Sequence, residues 1–189
     1  MLQEYIEEEI KREAFRGTDF TKVLFEDTVF YQCDFTEAEF TDCIFRDCEF
    51  EECNWTGVKI YDGKIQGLSF RQAKIMGVNF AASGPGPSRY TFQECEMAYC
   101  TFEEMNLPDF VMEGGSLKES SFVECQLEEA SFRDTSFADC VFERNQLKRA
   151  DFRGATGYRF DPFDNHLKQA RFSLPAAAIF LDFLNIEVE

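Results

Sequence analysis

Residues 33–53 read CDFTEAEFTDCIFRDCEFEEC. Cysteine stands at 33, 43, 48 and 53, and phenylalanine at 35, 40, 45 and 50. Such a run invites three readings: a metal site, a disulfide framework, or a repeat of five. Following the phase outward decides between them. Phe occupies 15, 20, 25, 30, 35, 40, 45 and 50, and the register continues through Trp55, Ile60, Ile65, Phe70, Ile75 and Phe80. After AASGPGPSRYT at 81–91, a second register opens at Phe92. It runs through Phe102, Met112, Phe122, Phe132 and Phe142 to Phe152, with Met or Leu at most of the intervening fifth positions. The step from 80 to 92 is twelve, so the interruption shifts the phase by two.

If the large apolar position is called i, the position two before it is usually small: Thr28, Ala38, Ala73, Ser120, Ala130, Ala150. All eight cysteines fall at i−2. They follow the repeat, not a ligand spacing. Interior positions on different sides of a coil do not converge on one metal ion. Cys33 and Cys53 would stack in adjacent coils, the one pair close enough for a disulfide, but free thiols are the expectation.

Neither regular element explains a period of five. Helical steps of five advance about 500° and scatter the rings around the axis. In a straight strand, an odd step sends successive rings to opposite faces. The rings all stay inside if each pentapeptide forms one flat side of a coil and the chain turns before the next. The coils then stack as a solenoid, each hydrogen-bonded to the next about 4.8 Å along the axis. A buried Phe contributes roughly 1.5–3 kcal/mol, against roughly 1–2 kcal/mol of backbone entropy for each ordered residue. The backbone ladder and the i−2 contacts must supply the remainder.

Composition agrees with a packed all-β solenoid. The 189 residues are enough for one domain with a sizeable core. Thirty-six acids against 19 bases give a net charge of −17. Acidity of that degree often accompanies disorder, but disordered chains are poor in aromatics, and this one has 23 Phe. The charge repels nucleic acid and anionic membranes and suits a partner with a basic site. MLQEYIEEEIKRE lacks an apolar targeting core, and no run approaches a membrane span. Eight cysteines without an export signal give the expectation of a reducing, cytoplasmic setting.

Several segments break the repeat. The insertion at 81–91 holds Gly84, Pro85, Gly86 and Pro87, followed by Ser88 and Arg89. It reads as a turn-rich bulge, either a tolerated surface insertion or a recognition loop on a rigid scaffold. The i−2 residues at 105, 110 and 115 are Met105, Phe110 and Gly115, two of them large where small ones belong, and Pro108 removes a ladder donor; a bulge or a change of turn type is expected there. The phase is silent at Gly157 and Pro162 and returns at Leu167 and Phe172. SLPAAAIFLDFLNIEVE then predicts a short α-helix over about 174–184, N-capped by Ser173. Ile179, Phe180, Phe183 and Leu184, with Ile186 beyond, are too apolar for one solenoid end to cover, so the helix either joins two copies in a homodimer or is a fully buried cap. Residues 1–172 thus form the coil body and 173–189 the terminal unit. EYIEEEIKREAF is expected to cover the first coil as a separate segment.

No catalytic constellation is visible. His166 is a lone histidine in the irregular tail. Paired acids such as Glu51–Glu52 and Glu103–Glu104 fall on outward turns, where a convex rod offers no cleft. There is no phosphate loop, dinucleotide fingerprint, cofactor site or metal-ligand cluster. The expectation is a protein that is not an enzyme.

The units CDFTE, AEFTD, CEFEE, CTFEE and ADFRG resemble the pentapeptide-repeat family over roughly residues 10–172. The resemblance implies a right-handed quadrilateral β-helix with four pentapeptides per coil. With four sides, residues 20 apart stack. One wall then carries Glu103, Glu104, Glu124 and Glu143, and the next Asp109, Glu128 and Glu129. The opening EEEIKREAFRGTDFTKVLFEDTVFYQCDF and the closing FDPFDNHLKQARFSLPAAAIFLDFLNIEVE are similar to the group containing the Qnr quinolone-resistance proteins, MfpA and McbG. That likeness implies a homodimeric DNA mimic binding DNA gyrase or topoisomerase IV and protecting it from inhibitors. It implies no direct nucleic-acid binding. The other reading is a pentapeptide-repeat scaffold with an unrelated partner.

Overall fold

The computed structural model describes residues 3–84 and 86–184. The chain winds into a right-handed quadrilateral β-helix of about eight coils, closed at one end by a short helix. Short parallel strands stack into four walls. The first wall opens with Gln3–Ile6, Val23–Glu26, Ile44–Arg46 and Lys64–Ile65, and the second with Glu9–Lys11, Val29–Tyr31, Cys48–Glu51 and Leu68–Arg71. Register is 20 residues per coil, as in Phe25↔Phe45 and Phe30↔Phe50. Across the insertion it becomes 22, Phe70↔Phe92 and Ile75↔Met97. It returns to 20 at Phe92↔Met112.

The rings form columns inside this frame. Phe25 stacks on Phe45 at 4.9 Å between centroids, and Phe102 on Phe122 at 4.6 Å. Rings from neighbouring walls meet edge to face, as Phe25 does Phe30 at 6.0 Å, the arrangement favoured by the aromatic quadrupole. The i−2 thiols sit between the columns and the backbone. Cys43 Sγ lies 3.4 Å from Phe20 O, and Cys53 Sγ 3.3 Å from Phe30 O. Burial pushes the Cys48 thiol up to about 11 and the Cys53 thiol up to about 12. They are protonated fillers where alanine also fits.

Three expectations need correction. The N-terminal segment is not a separate cover. Gln3–Ile6 and Glu9–Lys11 are strands of the first coil itself, paired Gln3↔Val23 and Glu9↔Val29, because Tyr5 and Ile10 keep the five-residue phase. The coil around 105–115 is not bulged either. Thr91↔Val111 and Asn106↔Gln126 keep the ladder in step. Phe110 is buried among Phe92, Phe102, Phe122 and Phe132, and Gly115 leaves room for the backbone of Cys95, whose oxygen would lie 2.4 Å from an added Cβ. Where the phase goes silent at Gly157, Tyr158 and Phe160 turn inward instead.

The terminal helix is present over Ala176–Leu184, wound as a 3₁₀ and not an α-helix. Three residues per turn places Ala176 and Ile179 on one ridge and Phe180 on the adjacent one. These three pack on the core, while Leu184 on the third ridge stays exposed.

Candidate partner-binding surface

Among the described residues, most pentapeptides turn the corner through one residue at i+2 with positive φ. Twenty-three such residues are not glycine, and fifteen of them are Asp or Glu. Left-handed backbone costs a non-glycine residue about 1–2 kcal/mol. Asp tolerates it through its short side chain; Glu has no such aptitude, yet Glu104, Glu124 and Glu129 adopt it at φ 52°, 54° and 63°. Conformational fit therefore does not explain these acids.

Stacked corners make columns. Asp42, Asp62, Glu104 and Glu124 follow one edge of the first wall, each corner N–H donating to the next coil: Asp42 to Tyr61 O, Asp62 to Ala82 O, Glu104 to Val123 O. Asp27, Asp47, Asp109 and Glu129 follow the other edge, with Gly67 and Arg89 standing between Asp47 and Asp109. Glu103 and Glu143 stand on the wall of Thr101–Glu103, Ser121–Val123 and Val141–Glu143, in register with Val123 between them. Sequence reasoning named only the acids after residue 100. It missed Asp42, Asp62 and Asp47, although a count of acids at i+2 in the first half reaches them.

The columns end in base. Arg144 Nε donates to Glu124 at 2.7 Å and Nη1 to Glu143 at 3.4 Å. Arg149 pairs with Glu129, and Arg153 with Asp151. The basic cluster at 144–153 is thus folded back on the chain's own acids. Among the described residues, Glu103, Glu104, Asp109 and Glu128 make no ion pair.

The insertion lies on the first wall between these columns. It is short and tied down: Gly84 N–H donates to Gly63 O at 2.7 Å, and Ser88 N–H to Asn106 O at 3.0 Å. Arg89 turns back to Gln66 O and Asp47, at 3.0 and 3.2 Å. Pro87 is exposed and in register with Asn106, so the small Ser88 stands at the wall's buried i position, opposite Leu107, and the fully buried Tyr90 fills the core space that it leaves. Pro85 lies outside the described residues. Between the bulge and the next coil is a cavity of about 390 Å³ whose lining includes Ser83, Gly84, Gly86, Ser88, Glu103 and Glu104. The structure thus brings two of the predicted acids together with the loop, while Asp109 lines a separate hollow with Asp47 and Arg89.

At the terminal unit, Phe180 packs on Phe172, Phe160 and Tyr158 at 4.9, 5.3 and 5.8 Å. The Phe183 ring lies 6.0 Å from Arg159 Cζ. The apolar groups left outward are Phe163, Leu174 and Leu184, at 72%, 84% and 49% exposure. Ile186 lies outside the described residues.

Family models for the pentapeptide repeat match residues 11–80 and 120–156. This chain is a pentapeptide-repeat protein. No curated protein matches its sequence. Among solved structures, a trypsin-treated QnrB1, a plasmid-mediated fluoroquinolone resistance protein, aligns at a TM-score of 0.57 and 17% identity. The match covers 100% of this chain and 99% of that one. A second trypsin-treated QnrB1 gives 0.56 at 16% identity, with 100% of both chains covered. HetL, a pentapeptide-repeat protein involved in heterocyst differentiation regulation in the cyanobacterium Nostoc, gives 0.53 at 14%, covering 89% and 84%. At these identities the likeness extends to the fold. No described helix is long and apolar enough to cross a membrane.

Proposed function

We propose that this pentapeptide-repeat protein is a non-enzymatic DNA mimic that binds DNA gyrase or topoisomerase IV and protects the enzyme from inhibitors in the cytoplasm. The observation that carries the reading is the pair of acidic corner columns flanking the first wall, in which Glu104, Glu124 and Glu129 stand at corners whose backbone conformation does not favour glutamate. Charge density supports it. About eight coils at about 4.8 Å each give a rod roughly 38 Å long. Its net charge of −17 is then about one charge per 2.3 Å, against one per about 1.7 Å for duplex DNA. A basic groove that holds a duplex meets a comparable field along this rod.

The outward Phe163, Leu174 and Leu184 support a homodimer joined at the terminal unit, doubling the length of the mimic. A second reading, a scaffold for an unrelated partner, draws on HetL, whose likeness in fold is nearly that of QnrB1. A supercoiling assay with purified gyrase, with and without a poison, separates the two.

A further inference from the structure

Both acidic edges of the first wall lose their acid at the same level of the rod. On one edge Ala82 stands between Asp62, whose N–H donates to Ala82 O, and Glu104. On the other, Gly67 and Arg89 stand between Asp47 and Asp109, opposed to each other just before the pair Leu68↔Tyr90. Gly67 leaves its corner bare: a Cβ there would lie 2.4 Å from Asp47 Oδ1 and 3.3 Å from the Asp47 backbone. Base replaces acid in this gap. Arg89 is held in place through Nε and Nη2, which donate to Gln66 O and Asp47. Its Nη1 has no hydrogen-bond partner among the described residues, and the side chain is 54% exposed. Lys64 stands exposed on the wall in the preceding coil, in register with Ile44. Among the described residues it makes no ion pair, whereas Arg46, the next base on the wall, is taken up by Glu26 at 3.1 Å. The acidic face is therefore two blocks, one ending at Asp47 and Asp62, the other beginning at Glu104 and Asp109. Three coil steps separate Asp47 from Asp109, roughly 14 Å along the axis.

We propose that Lys64 and Arg89 form a basic step that fixes the axial register of the rod, by meeting a carboxylate of the same protein partner whose basic surface takes the two acidic blocks. This rests on reading the acidic face as a partner-binding surface and adds what that partner must present between its bases. A uniformly acidic rod could slide along a basic groove, because each coil offers the groove the same field. A step of opposite sign removes that freedom: registers that set Lys64 and Arg89 against a partner cation bring like charges together and are penalised, while the register that sets them against a carboxylate is favoured. The free Nη1 edge of an already anchored guanidinium suits such a carboxylate, since little side-chain freedom is left to lose on contact. A nucleic acid does not fit the step, because the acidic blocks on either side repel a continuous line of phosphates.

The test is a titration of the isotope-labelled full chain with two synthetic peptides, followed at the backbone amides. Each peptide carries two blocks of four lysines. One linker is Gly-Glu-Glu-Gly and the other Gly-Ser-Ser-Gly, and four extended residues span about 13–14 Å. Net charge alone favours the serine peptide, which is the more positive. The basic step predicts the opposite order, with the glutamate peptide binding roughly threefold tighter or more and shifting Lys64, Gln66 and Arg89 as well as the acidic corners. Lys64→Glu should reverse that order. Lys74→Glu, an exposed site on the wall of Asn54–Thr56, changes the net charge equally and should leave the order as in the wild type. Serine-linked peptide bound equally or more tightly by the wild type, no saturable binding of either peptide, or an unchanged order in Lys64→Glu overturns the proposal. Gyrase supercoiling is read separately. The predicted peptide order without an effect on gyrase keeps the step and sinks the topoisomerase reading. Inhibition of gyrase by a wild type that prefers the serine peptide keeps that reading and sinks the step.

Discussion

Arg144 Nε hydrogen-bonds Glu124 Oε1 at 2.7 Å, from one coil to the coil before it, twenty residues apart. The same arginine reaches Glu143 at 3.4 Å. Its two contacts end the acidic column that runs up through Glu104, and they divide the surface into a neutralised end and an unpaired stretch. If the unpaired stretch is the part that meets a basic partner, charge removal there should matter more. Glu104→Gln with Asp109→Asn should weaken inhibition of gyrase at least fivefold, while Arg144→Gln should leave it within twofold. The measurement is the protein concentration that halves supercoiling; equal effects of both changes would detach activity from the unpaired acids.

The core makes unequal demands at its two kinds of position. Phe122 is fully buried between stacked Phe102 and Phe142. Phe122→Ala should destabilise by about 3–5 kcal/mol. Cys125→Ala, at an i−2 site with one weak thiol contact to Val123 O at 3.4 Å, should stay within about 1 kcal/mol. Denaturant midpoints decide the contrast, and a cysteine change as costly as the phenylalanine change would make the thiols more than fillers.

Gly115 refines that rule. An added Cβ would lie 2.4 Å from Cys95 O and 2.8 Å from Cys95 N, both backbone atoms that cannot move aside cheaply. Gly115→Ala should therefore cost about 1–3 kcal/mol, although alanine is the common residue at other i−2 positions. A neutral result in chemical denaturation would mean that the wall of Glu96–Ala98 and Ser116–Lys118 yields more easily than the ladder implies.

How much of this was legible in the sequence follows from what a period can carry. The phase of Phe residues fixes which side chains point inward, so the solenoid, its two-residue slip and the role of the cysteines were readable. Phase also reached Tyr5 and Ile10, had it been followed back past Phe15. It says nothing about neighbours across coils until the number of sides is known; once four sides are taken from the resemblance, the 20-residue stacking that gives the acidic columns also sets Arg144 opposite Glu124. The left-handed corners leave no mark when Glu occupies them. The compensation of small Ser88 at the i position by buried Tyr90 is a volume effect, and the 3₁₀ winding of Ala176–Leu184 depends on the coil end that it covers.

Asp151 is buried, and hydrogen bonds from Arg153 hold its carboxyl down to about 2, with Arg171 adding its charge. A folded pKa below the unfolded value of about 3.9 stabilises the fold above that pH. The contribution, on the order of 2 kcal/mol, is lost as pH falls from about 4 through 2. Asp151→Asn should remove it, so the stability difference between wild type and variant should shrink across that window. A difference that stays constant with pH would place the effect of the change in packing.

The proposed dimer is joined at the terminal unit. Phe180 holds the helix to its own coil, so its loss would disturb the monomer; Leu174 and Leu184 point outward. Light scattering should give twice the chain mass for the wild type. It should give the single chain mass for Leu174→Asp with Leu184→Asp, with unchanged circular dichroism. A monomeric wild type would contradict the proposed assembly.

The most direct test of the central claim is DNA supercoiling by purified gyrase and relaxation by topoisomerase IV, each with and without a quinolone or peptide poison, as this protein is titrated. A DNA mimic of this charge should inhibit at micromolar concentration, lose potency steeply as salt is raised, and lower poison-induced cleavage. Unchanged supercoiling, relaxation and cleavage across that range would contradict the account and leave a scaffold for some other partner.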